Sequence, residues 1–78
     1  MSRPVKRSLT LAGHRTSVSL EDEFWVAFRE IALAREVPVN TLAAEIDAAR
    51  DTETGLATAI RLFVLRHYRA AASSTPVA

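Results

Sequence analysis

The feature that most constrains this chain is a change of period at Glu21. From Lys6 to Leu20 the pattern repeats every two residues: Leu9 and Leu11 alternate with Ser8 and Thr10, then Thr16, Val18 and Leu20 alternate with Arg15, Ser17 and Ser19. Period two is the mark of extended backbone with one buried face. The apolar parity changes from odd to even across Ala12-Gly13-His14, so the chain must bulge or turn there. After Glu21 the spacing is helical. Phe24, Phe28 and Ile31 form one stripe with Trp25 and Ala32 beside it, and Ser19 or Glu21 is placed to cap its start. Pro38 disfavours helix at the residue before it and suits the first turn of a new one. A second helix with Leu42, Ala43, Ile46 and Ala49 on one face ends about Asp51-Thr52. A third runs from near Thr54 to about Ala71, with Leu56, Ala59, Ile60, Phe63, Val64 and His67 inward and Leu62 and Leu65 on a second apolar flank.

The expected architecture is mainly α, with one N-terminal strand followed by three helices. It is a single domain over residues 1–72, with a flexible basic arm at 1–6 and a disordered tail at 73–78. A lone strand leaves a row of backbone donors and acceptors unpaired. A chain of 78 residues without cysteine cannot be stapled by disulfides, and one this small buries only about 60% of its unfolded surface. Both points favour an obligate homodimer whose strands pair antiparallel about a twofold axis. The competing remedy is an internal hairpin around Gly13-His14, with Gly13 at the first central position of a type II′ turn. It would set Ala12 opposite Arg15, Leu11 opposite Thr16 and Leu9 opposite Val18.

The net charge of +1 hides a strong segregation. Residues 1–20 carry Arg3, Lys6, Arg7 and Arg15 and no acid, whereas all nine acids lie between Glu21 and Glu53. A basic end of this kind is suited to polyanions. No apolar run reaches the ~18 residues of a membrane span, and an N-terminus without an apolar core fits a cytoplasmic chain.

The run Arg15-Thr16-Ser17-Val18-Ser19-Leu20, followed by Glu21-Asp22-Glu23-Phe24-Trp25-Val26-Ala27-Phe28, resembles the ribbon-helix-helix DNA-binding family (the Arc/MetJ/CopG class) over roughly residues 14–50. The longer run from Lys6 to Ser17 resembles a small bacterial subfamily that appends a third helix like residues 56–68. The resemblance implies an intertwined homodimer in which one strand from each subunit forms a ribbon. One ribbon face packs on the helices and the other enters the DNA major groove, which admits a two-stranded ribbon. A hairpin in each subunit would instead make a four-stranded sheet, too broad to enter.

The resemblance places Arg15, Ser17 and Ser19 at base-reading positions, where Arg can bond a guanine edge bidentately and serine hydroxyls suit several bases. It places Val18, Leu20, Phe24, Phe28, Ile31, Leu42 and Ile46 in the dimer core. Lys6, Arg7 and His14 are expected on phosphates, the arm residues meeting backbone rather than base edges. In the family the turn before the second helix holds a phosphate at the helix N-terminus, which points here to Asn40 and Thr41. The chain departs from the pattern there: Glu36 stands where glycine is frequent, and Pro38 where a capping serine is frequent. Thr54-Gly55-Leu56 is an alternative clamp.

The two histidines lie far apart and no cysteine exists, so no metal site is expected. Glu45 and Asp47 are two apart on a helix and share no face, and Ser17 and Ser19 have no histidine base beside them in sequence. Neither an enzyme nor a cofactor is expected. The leading function is a small bacterial transcription regulator binding double-stranded DNA. The alternative is a dimeric interaction module that leaves DNA alone and docks a partner, or a second dimer, along the apolar third helix.

Overall fold

The computed structural model describes residues 2–73. The order is β1 (Val5–Leu11), β2 (His14–Leu20), α1 (Asp22–Ala34), α2 (Val39–Ala49) and α3 (Leu56–Ser73). The three helices stand where their periodicity placed them, within a few residues at each end. Of the tail expected over 73–78, Ser73 instead closes α3, and residues 74–78 lie outside the described residues.

The N-terminal region corrects the single-strand reading. It is two strands, paired antiparallel in a two-stranded sheet within one chain. The turn is Ala12-Gly13, one residue earlier than the Gly13-His14 turn considered from sequence. The register therefore pairs Leu11 with His14, Leu9 with Thr16, Arg7 with Val18 and Val5 with Leu20. Both central residues have positive φ, 50° at Ala12 and 82° at Gly13. Positive φ at both positions is the type I′ combination, whose twist matches that of paired strands, whereas type II′ needs it only at the first. Val5 and Lys6 lie inside β1 rather than in a flexible arm.

The core draws on all five elements: Leu9 from β1, Val18 and Leu20 from β2, Phe28, Ile31 and Ala32 from α1, Leu42, Ala43 and Ile46 from α2, and Ile60 and Val64 from α3. Phe28 sits at its centre, edge-on to Phe63 with ring centroids 6.4 Å apart and tilted against Trp25 at 6.3 Å. Val18, Leu20, Phe28, Ile31, Leu42 and Ile46 were expected between two chains, yet all are buried within one. Phe24 is half-buried, with the Arg61 guanidinium 5.9 Å from its ring. β1 and α3 contribute Leu9, Ile60 and Val64 to this core. The lone-strand argument for a dimer falls away, because β2 has a pairing partner within the chain.

The link between α1 and α2 explains one departure from the family pattern. Val37 N–H bonds the Ala32 carbonyl and Glu36 N–H the Leu33 carbonyl, both at 3.0 Å, and Glu36 has φ 58°. This is a left-handed helix C-terminus, where glycine is favoured because it has no Cβ to strain. Glu36→Gly is expected to stabilise the chain by about 1 kcal/mol, seen as a rise of about 4–8 °C in the thermal midpoint by circular dichroism.

Candidate nucleic-acid interface

Strand alternation divides the hairpin into two unlike faces. One carries Leu9, Val18 and Leu20 onto the helices. The other carries Lys6, Ser8 and Thr10 from β1 and Arg15, Ser17 and Ser19 from β2, every one of them exposed. Cross-strand pairs tie them together: Lys6 with Ser19, Ser8 with Ser17, and Thr10 with Arg15. This face holds two cations and no acid. Lys6 and Arg15 make no ion pair among the described residues, so their charge is uncompensated there.

The three β2 residues expected to read bases thus lie together, and Lys6 joins them from β1. Ser8 and Thr10, not singled out from the sequence, share this exposed face. Their signal was present, since they alternate with Leu9 and Leu11, but only a turn at Ala12-Gly13 brings them beside Ser17 and Arg15.

Arg7, expected on phosphate, faces the other way. Its side chain is 16% exposed, ion-paired with Asp22, and lies 5.6 Å over the Trp25 ring. An arginine held by a carboxylate and an indole is structural, so the phosphate role is withdrawn. His14 opens β2, exposed and paired with Leu11, and lines one groove with Thr16, Asp47 and Leu56 and with Arg15 and Ser17 of the polar face.

Asn40 has a definite partner. Its Oδ1 accepts the Thr10 backbone N–H at 3.1 Å, so its carbonyl fastens the start of α2 to the edge of β1. Thr41 follows, exposed, in the same first turn. No acid lies in that turn, which keeps the free N–H groups of the helix start electropositive. The alternative clamp is poorer. Asp51 and Glu53 precede Thr54-Gly55-Leu56, and the Thr54 N–H already donates to the Asp51 carbonyl at 3.0 Å.

The far edge is fastened by α3. Arg61 Nη2 donates to the Ser19 carbonyl at 3.1 Å while its Nε bonds Glu21 Oε1 at 3.0 Å. Hydrogen bonding from the Glu21 backbone, and then from Arg61, holds the Glu21 carboxyl below its ordinary value of 4.5. A carboxylate lowered in the folded state adds stability above its ordinary value, and that stability is lost as pH falls through the lowered one. In an acid titration followed by circular dichroism, Glu21→Gln is expected to flatten the loss of stability below pH 4.5.

Among the described residues no group of histidine and acidic side chains is placed to hold a metal, and no helix is long and apolar enough to cross a membrane. Comparison with protein families matches residues 4–68 to the ribbon-helix-helix domain. The chain belongs to the ribbon-helix-helix family. No curated protein and no solved structure shows significant similarity. Ribbon-helix-helix proteins are typically DNA-binding transcription regulators, generally without enzymatic activity, and usually bind DNA as dimers. In this ribbon-helix-helix chain the match includes β1 and most of α3 as well as the β2, α1 and α2 core of the motif.

Proposed function

We propose that this chain is a bacterial, cytoplasmic transcription regulator that acts on double-stranded DNA as a homodimer. It lays the polar face of a two-stranded ribbon in the major groove. The observation that carries this reading is the uniformly exposed, acid-free face of Lys6, Ser8, Thr10, Arg15, Ser17 and Ser19. Arg15 discriminates a guanine edge and the serine hydroxyls adjust to several bases. Lys6, with Thr41 and the amide groups at the start of α2, positions the backbone phosphates.

Salt titration tests it. Arg3 and Lys6 leave about two cations per chain and about four per dimer to meet phosphate, so affinity for duplex DNA is expected to fall roughly 100- to 200-fold between about 50 and 200 mM salt. An affinity indifferent to salt contradicts the mechanism.

One observation favours a second reading. Leu62, Leu65 and Tyr68 on α3 remain 37%, 49% and 46% exposed, a stripe suited to a second dimer or another protein. Chains that associate through this stripe and ignore DNA would support the interaction module instead.

A further inference from the structure

We propose that Asn40 is a positioning residue for DNA reading: its side-chain carbonyl fixes the tip of the hairpin, and with it Arg15, relative to the start of α2. The proposal rests on the DNA-binding reading above and adds to it what holds the base-reading side chain at its angle to the helices. Asn40 itself reads no base.

Three observations carry it. The first is the bond itself. Thr10 pairs with Arg15, one position back from the Leu11–His14 pair that flanks the turn. In a two-residue hairpin the flanking pair is hydrogen-bonded across the strands, and the next pair directs its N–H and C=O groups outward. The Thr10 N–H therefore points away from β2, and Asn40 Oδ1 accepts it at 3.1 Å across 30 residues of sequence. The bond uses only the side of β1 turned away from β2. Asn40 is exposed in the first turn of α2, and that helix start has no side-chain cap. The carboxamide oxygen thus serves the hairpin rather than the free N–H groups of its own helix.

The second observation is where the other polar ties lie. Arg7 bonds Asp22 and the Leu20 carbonyl, and Arg61 bonds Glu21 and the Ser19 carbonyl. All of these fasten the end of the hairpin that leads into α1. At the opposite end, among the described residues, the Thr10–Asn40 bond is the one hydrogen bond from the tip to a helix. Leu9 is buried there and Leu11 packs on the core, but apolar burial is non-directional. A hydrogen bond weakens steeply with angle, so Asn40 sets how the tip lies over α2. The third observation is what stands at that tip. Arg15 is the cross-strand neighbour of Thr10, and it is the cation proposed to meet a guanine edge. A bidentate contact of that kind has its own strict geometry. A tip free to tilt would keep its charge near the duplex and lose its discrimination.

Asn40→Ala and Asn40→Asp, made in the full chain, test this with two readouts. The first is amide hydrogen exchange at Thr10 without DNA. Asn40→Ala is expected to speed it by roughly three- to tenfold, the worth of one hydrogen bond. Asn40→Asp keeps an acceptor oxygen and should leave the Thr10 amide as protected as in the parent. The second readout is preference. The parent selects a duplex from a random pool, and each variant is measured on that duplex and on a scrambled one. Asn40→Ala is expected to lose roughly fivefold or more of the ratio of the two affinities, the lower end for one base contact. Its circular dichroism should match the parent's. Asn40→Asp should keep the ratio, because its added charge acts on both duplexes alike. If Asn40→Ala speeds Thr10 exchange but keeps the parent's ratio, the bond is structural only and the proposal falls. An Asn40→Asp chain that loses the ratio, or a Thr10 amide indifferent to Asn40→Ala, also overturns it. A parent that binds neither duplex overturns the underlying DNA reading, and the positioning role falls with it.

Discussion

Phe28→Ala is expected to bring this chain to the edge of unfolding at room temperature. The ring is completely buried and touches the aromatic side chains of Trp25 and Phe63. Truncating a buried Phe costs about 3–5 kcal/mol, the lost transfer free energy plus the cavity left behind. A domain of this length holds only about 4–12 kcal/mol in total. Thermal unfolding followed at 222 nm should show a midpoint lowered by more than about ten degrees, or no cooperative transition. Val26→Ala on the same helix is the control, because Val26 is 52% exposed and its truncation should change little. A Phe28→Ala chain with the parent's midpoint would mean that the hairpin and helices do not share this core.

Arg15→Ala is expected to abolish sequence preference while the fold stays intact. The side chain is exposed on the polar face, opposite Thr10, and no carboxylate holds it among the described residues. A bidentate contact discriminates between bases by about 1–3 kcal/mol, and a dimer on a palindromic site uses the contact twice. The variant should therefore bind a selected duplex and a scrambled one alike, with unchanged circular dichroism. Lys6→Ala should weaken both duplexes equally, because a phosphate contact carries no sequence information. Arg7→Ala should act differently from both. It removes a guanidinium packed between Asp22 and Trp25, so its effect should be a lower thermal midpoint. If Arg15→Ala discriminates as well as the parent, the ribbon does not read DNA, and Leu62 and Leu65 become the residues to mutate.

Sequence alone determined the local elements and their faces. Period 3.6 in Phe24, Phe28 and Ile31, in Leu42 and Ile46, and in Ile60 and Val64 specifies three helices and the sides they bury. Period two in Ser8–Leu11 and Arg15–Leu20 specifies extended backbone and sets Arg15, Ser17 and Ser19 on its polar side. These signals are legible because side-chain direction follows backbone geometry residue by residue. Their combination with the strand-to-helix junction at Glu21 also carried the family. Tertiary structure decided which groups meet. Whether residues 5–20 form one bulged strand or two paired strands turns on positive φ at Ala12 and Gly13, and alanine carries no sequence mark of that conformation. From that turn follow the placement of Ser8 and Thr10 beside Ser17 and Arg15, and the inward position of Arg7. The partners of Arg7, Asn40 and Arg61 lie 15, 30 and 42 residues away in sequence. A cation or an amide looks alike in sequence whether it meets phosphate or its own chain, because such contacts exist only after the core has closed.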